Sequence, residues 1–117
     1  MDEDISKYFM QELSNEERAF KEINENPIIL DFKNCKYCGT VHKILKEKFG
    51  LPEYYGENWD ALWDCLRYLW IWDEDVLVEI HNFYSMDEDI RDYCKPMLKV
   101  FEDVHSETPN VIFKIIS

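Results

Sequence analysis

Glycine is scarce in this chain, with three residues in 117, and none sits in a Gly-rich phosphate-cradling loop. Histidine is equally sparse. His42, His81 and His105 fall in separate parts of the sequence, and no nucleophile elbow or acid–base constellation accompanies them. The chain therefore reads as a binding protein, not an enzyme, and no cofactor is implied. Positive charge is also in deficit: 13 Lys and Arg face 25 Asp and Glu, a net charge of -12. Such a surface repels nucleic acid phosphates and anionic membranes and attracts basic proteins, so direct nucleic acid binding and a membrane partner are not expected. No apolar run is long enough to cross a bilayer, the longest being Tyr68 to Trp72. The opening MDEDISKYFMQEL has neither a basic region nor an apolar stretch of the secretory kind, which points to a cytoplasmic protein. Four cysteines, Cys35, Cys38, Cys65 and Cys94, are too few for a disulfide framework and read as reduced thiols.

What the chain does have is apolar and aromatic mass, 46% and 15% of its residues, enough for one compact core. Three short apolar runs, Ile28–Phe32, Val76–Ile80 and Val111–Ile116, are strand candidates. They are nearly continuous in apolar character, which suggests burial on both faces, and the long segments between them suit helical crossovers and parallel pairing. The first crossover carries a helix at about 40–49, with Val41, Ile44, Leu45 and Phe49 on its buried side, ended by Gly50 and Pro52. A second helix is expected over 59–70. Ser85 with Glu88 resembles a capping box, and Met97, Val100, Phe101 and Val104 recur at helical spacing after Pro96, which is expected in that helix's first turn. The fold class is α/β, a three-stranded parallel sheet packed with helices. Residues 1–26 form a separate N-terminal helical extension by pattern, with Ile5, Phe9 and Leu13 on one stripe and a Ser14/Glu17 capping box before Phe20 and Ile23. Such stripes need burial, so the extension is expected to pack on the domain of residues 27–117; a partner-binding or dimerising arm is the alternative.

The densest chemistry lies in LPEYYGENWDALWDCL, Leu51 to Leu66. Tyr54, Tyr55 and Gly56 make a turn, Asn58 is an N-cap candidate, and Asp60 and Asp64 follow one turn apart beside Trp63. Rings supply contact area and ionised carboxylates accept charge-assisted hydrogen bonds, so the patch suits a cationic ligand; the plainer reading is a solvated helix face. Tyr55, Leu62, Cys65 and Leu66 fit the core better than a contact surface. Cys35, Cys38 and His42 are spaced like a fragment of a zinc site, but four closed ligands are wanting, so buried thiols are favoured over a metal or redox role.

These residues strongly resemble the signature of barstar, the intracellular inhibitor of a small basic bacterial ribonuclease. The run from Leu51 to Leu66 is similar to it throughout, departing only where Trp59 replaces a leucine; weaker similarity follows at Leu77 to Glu79, Phe83, Val100-Phe101 and Ile115 to Ser117, covering roughly residues 28–117. The resemblance implies a three-stranded parallel sheet with helices, and an inhibitory surface formed by the second helix and the loop before it. Carried over position by position, that surface holds Tyr54, Tyr55, Gly56, Asn58, Asp60, Trp63 and Asp64, with Asp103 of the later helix where barstar has a glutamate. Arg67 stands where barstar has an uncharged residue, at the edge of the same surface, and is expected either to pair with Asp60 or Asp64 or to repel a basic enzyme. The implied partner is a basic extracellular-type ribonuclease or related toxin. The alternative is an acidic binding module for another basic partner, a non-ribonuclease toxin or a nucleic-acid-binding protein.

Overall fold

The computed structural model describes Ile23, residues 25–69 and residues 74–117, with the backbone alone at Tyr68 and Leu69. Six elements follow in order: β1 (Ile28–Asp31), α1 (Cys38–Lys48), α2 (Trp59–Leu69), β2 (Val76–His81), α3 (Glu88–Glu107) and β3 (Val111–Ile115). The strands form one parallel sheet in the order β1-β2-β3, so β2 is central and the outer two are edges.

Strand alternation decides which side chains enter the core. Ile28 and Leu30 face inward beside Val78 and Ile80, while Val76, Val78 and Ile80 stand beside Val111, Phe113 and Ile115. Helices supply the other layer: Val41, Leu45 and Phe49 around α1, Leu62, Cys65 and Leu66 from α2, and Cys94, Met97, Phe101 and Val104 from α3 join the inward strand residues in one buried cluster. The expectation of strands buried on both faces is corrected by this arrangement. The outward positions Ile29 and Ile112, and Ile116 beyond β3, are exposed. A nearly continuous apolar run thus serves a sheet that, among the described residues, carries a single helical layer.

Local chemistry fixes the joints. Gly50, at φ 61°, ends α1 in a Schellman motif: its N–H donates to the Glu47 carbonyl at 3.3 Å, and the Leu51 N–H donates to the Lys46 carbonyl at 2.9 Å. The Asn26 side chain donates to the Asp75 carbonyl and accepts from the Leu77 N–H, tying the start of β1 to β2. At the other end of the strands, the Asn82 amide side chain donates to Asp31 at 2.8 Å, holding that carboxyl below its ordinary range, and the Phe83 N–H donates to the Ser117 carbonyl.

Two expectations about α3 are corrected. Ser85 does not cap it; the hydroxyl donates back to the Asn82 carbonyl at 2.8 Å within the preceding turn, and the helix begins at Glu88 after Asp87. Pro96 lies well inside the helix, not in its first turn. Packing of Met97, Val100, Phe101 and Val104 against the core carries the helix through a residue that cannot donate the backbone hydrogen bond. The expected helices of residues 1–22 lie outside the described residues. At the junction Ile23 packs against the core, and Glu25 pairs with Lys48 at 3.3 Å.

Because Gly50 occupies the left-handed region, Gly50→Ala is expected to lower unfolding stability by about 1–2 kcal/mol. Urea unfolding followed by fluorescence checks it; an unchanged midpoint would show that the α1 terminus relaxes around a side chain.

Candidate functional site

The loop of residues 50–58 and α2 form one continuous piece of surface, and its local folding follows from Asn58. The Asn58 side-chain oxygen accepts the Ala61 N–H at 2.7 Å, an N-cap bond, and its amide donates to the Gly56 carbonyl at 3.2 Å. One side chain thereby starts the helix and folds the loop against it. Gly56 packs closely there: a Cβ would come 3.3 Å from the Asn58 amide nitrogen and 3.4 Å from the Ala61 methyl, so a side chain would press on the capping asparagine. Glu57 takes a positive φ of 53°, a second mark of a tightly held loop.

The predicted site residues separate into presented and supporting groups. Tyr54 is 55% exposed, and Gly56, Asn58, Asp60, Asp64 and Arg67 are exposed. Asp60 and Asp64 are one turn apart on α2. Among the described residues neither carboxylate has an ion-pair or hydrogen-bond partner. Trp63 is half-buried, packed against the core. The guanidinium of Arg67 lies over its ring, 5.5 Å from the centroid, so the arginine engages the indole by a cation–π contact and forms no ion pair with Asp60 or Asp64 among the described residues. Asp103 is on α3, the helix that packs beside α2, and its carboxylate is held by Lys99 at 3.1 Å. Tyr55 is only 6% exposed. Its ring therefore belongs to the support beneath the loop.

That support includes residues for which the sequence suggested no such role. His42 of α1 is buried, with Nδ1 2.8 Å from the Tyr55 hydroxyl and Nε2 2.7 Å from the Tyr93 hydroxyl of α3. Its ring lies 4.7 Å from that of Trp59, which in turn sits 5.0 Å from Tyr93. Both imidazole nitrogens are engaged, so His42 has no free lone pair for a metal beside Cys35 or Cys38. Cys35 is buried and Cys38 half-buried, and burial pushes the Cys35 thiol up. Burial likewise raises Cys65, with the Asp64 charge adding to it, and pushes Cys94 to about 12; these thiols are poor nucleophiles. One signal for His42 was present in the sequence: it neighbours Val41 and precedes Leu45 by three, within the stripe that faces the core.

This geometry can be set beside known proteins. The family model described as Barstar (barnase inhibitor) matches residues 26–116. The chain belongs to the barstar family. A relative from Bacillus subtilis (strain 168), named "Putative ribonuclease inhibitor YrdF", is 35% identical over 89 residues, covering 76% of this chain and 94% of its own length. The three-stranded parallel sheet with the three described helices agrees with the barstar-like fold that the sequence resemblance implied. No described helix is long and apolar enough to cross a membrane.

Burial disfavours the charged imidazole and lowers the His42 pKa below its ordinary 6.5, against a smaller opposing pull from Glu57. The unfolded chain then binds the proton more readily than the native one. Stability is accordingly full above about pH 6.5 and is lost as pH falls from there toward the lowered native value, at up to ~1.4 kcal/mol per pH unit. Unfolding curves of wild type and His42→Gln at a series of pH values check this: below pH ~6.5 the wild type should lose stability relative to the variant, and parallel profiles would show that His42 titrates alike in both states.

Proposed function

We propose that this protein binds a small basic ribonuclease, of the extracellular type or a related toxin, and blocks its active site with the surface formed by Tyr54, Gly56, Asn58, Asp60, Trp63 and Asp64. The observation that carries the reading is the pair of exposed carboxylates on α2, without partners among the described residues and mounted beside a tightly folded loop. A ribonuclease active site gathers cationic groups to hold a phosphodiester. A rigidly placed carboxylate takes the phosphate's place and receives charge-assisted hydrogen bonds from those groups. Asp64, in the middle of α2, is the central anchor; Asp60 meets a flanking cation. Tyr54 and Trp63 add contact area that loses little entropy on binding. The inhibitor acts by occlusion and performs no chemistry of its own. Its net charge of -12 speeds encounter with a basic partner and makes association weaken with salt.

Asp103 contributes less than Asp60 and Asp64, because a partner cation must first displace Lys99. A second reading, an acidic module for a different basic toxin or nucleic-acid-binding protein, draws on Arg67. Stacked on Trp63, it places a fixed cation at the edge of the acidic surface, which disfavours a uniformly positive partner and favours one with a matching acid there.

Asp64→Ala is expected to leave the fold intact and to weaken inhibition of a barnase-type ribonuclease by at least ~2 kcal/mol, roughly thirtyfold in Kd; the barnase–barstar complex is itself the standard example of such hot spots, so the figure is carried over from that class. RNA cleavage titrated with wild type and variant reads the result. Equal potency of the two would remove Asp64 as the anchor, and full ribonuclease activity with folded wild type would turn the reading toward the second partner class.

A further inference from the structure

We infer that His42 and Tyr93 are positioning residues for the partner-binding loop, clamping it at Tyr55 and Trp59 so that Gly56, Glu57 and Asn58 are held between two anchored rings. The inference rests on the proposed inhibitory surface and deepens it. The loop's own bonds, Tyr55 N–H to the Pro52 carbonyl at 2.9 Å and Asn58 to Gly56 and Ala61, fix its internal shape. They do not fix where that shape stands on the domain. The clamp does so, because its four rings come from four places: His42 from α1, Tyr55 from the loop, Trp59 from the first turn of α2 and Tyr93 from α3.

The hydrogen bonding has a definite sense. A neutral imidazole offers one N–H and one lone pair, so in either tautomer one tyrosine accepts from the ring and the other donates to it. Both hydroxyls are thereby satisfied, that of Tyr55 buried and that of Tyr93 half-buried. A protonated ring donates from both nitrogens, both tyrosines must accept, and a hydroxyl proton formerly given to the ring loses its partner, which buried groups tolerate poorly. The groups around the ring offer little to offset this. The loop presents the Tyr55 hydroxyl and, more distantly, the Glu57 carboxylate; α3 presents the Tyr93 hydroxyl, α2 the Trp59 indole, and Cys38 of α1 lies near Tyr93. Trp59 is the one position where the loop signature departs from a leucine, and its indole bridges His42 and Tyr93.

Two measurements test the inference. Tyr93→Phe keeps the ring against Trp59 and removes only the hydroxyl; it should accelerate amide exchange at Tyr55 and Ala61 about fivefold while the Ile116 amide, bonded to the Ile80 carbonyl in the sheet, keeps its rate. In parallel, inhibition of a barnase-type ribonuclease is measured across about pH 7.5 to 5 with wild type and with His42→Gln, whose amide offers the same donor and acceptor without titrating. Dividing one affinity by the other cancels the enzyme's own titration. The wild-type advantage should fall at least about threefold toward the acid end. Exchange that rises uniformly through the sheet, or not at all, or a flat affinity ratio, overturns the inference. If folded wild type leaves the ribonuclease fully active, the inhibitor reading fails and the amide rates alone decide the positioning role.

Discussion

Parallel pairing is the constraint from which the rest of this molecule follows. Three strands running the same way cannot be joined by tight turns, so each connection must return along the length of the sheet. Here the connection from β1 to β2 carries α1, the loop of residues 50–58 and α2, and that from β2 to β3 carries α3. All three helices join the inward strand residues in one core. The candidate binding surface lies within the first connection. Its footing is the same set of side chains that closes the core: Leu51, Tyr55, Leu62, Cys65 and Leu66 are buried from the loop and helix that present Tyr54, Asp60 and Asp64.

The distribution of charge follows a similar division. Glu53 is tied to Lys46, Glu25 to Lys48 and Asp103 to Lys99, while Asp60 and Asp64 are left without partners among the described residues. Two like charges one turn apart on a helix repel each other modestly, a cost that water screens in the free protein. A cationic partner would remove that cost on arrival. Arg67, the nearest compensating charge in sequence, is drawn aside onto Trp63.

Much of this was legible in the sequence because the relevant signals are local. Asn58 as a cap, Gly50 as a stop, the stripe of Val41, Leu45 and Phe49, and the three strands all depend on neighbours a few residues away, and the structure agrees with each. The carbonyl that captured Ser85 competed with the expected capping box at equally short range, and sequence pattern does not rank such rivals. Pro96 inside α3 shows tertiary packing overriding a local preference. The face given to solvent by Ile29 and Ile112 depends on how many helical layers the chain supplies, a property of the whole fold. The clamp around His42 was hidden for the same reason: Tyr93 lies 51 residues away in sequence, and nothing in either neighbourhood announces the contact.

β3 is an edge strand whose residues read Val-Ile-Phe-Lys-Ile, with Ile116 after it. An edge strand leaves backbone groups open to a passing strand, and here the Val111 carbonyl is engaged by His105 Nδ1 at 2.7 Å. Lys114 interrupts the outward face between Ile112 and Ile116. Lys114 stands beside Glu79 of β2, and charge at such a place on an edge strand disfavours the addition of a passing apolar strand.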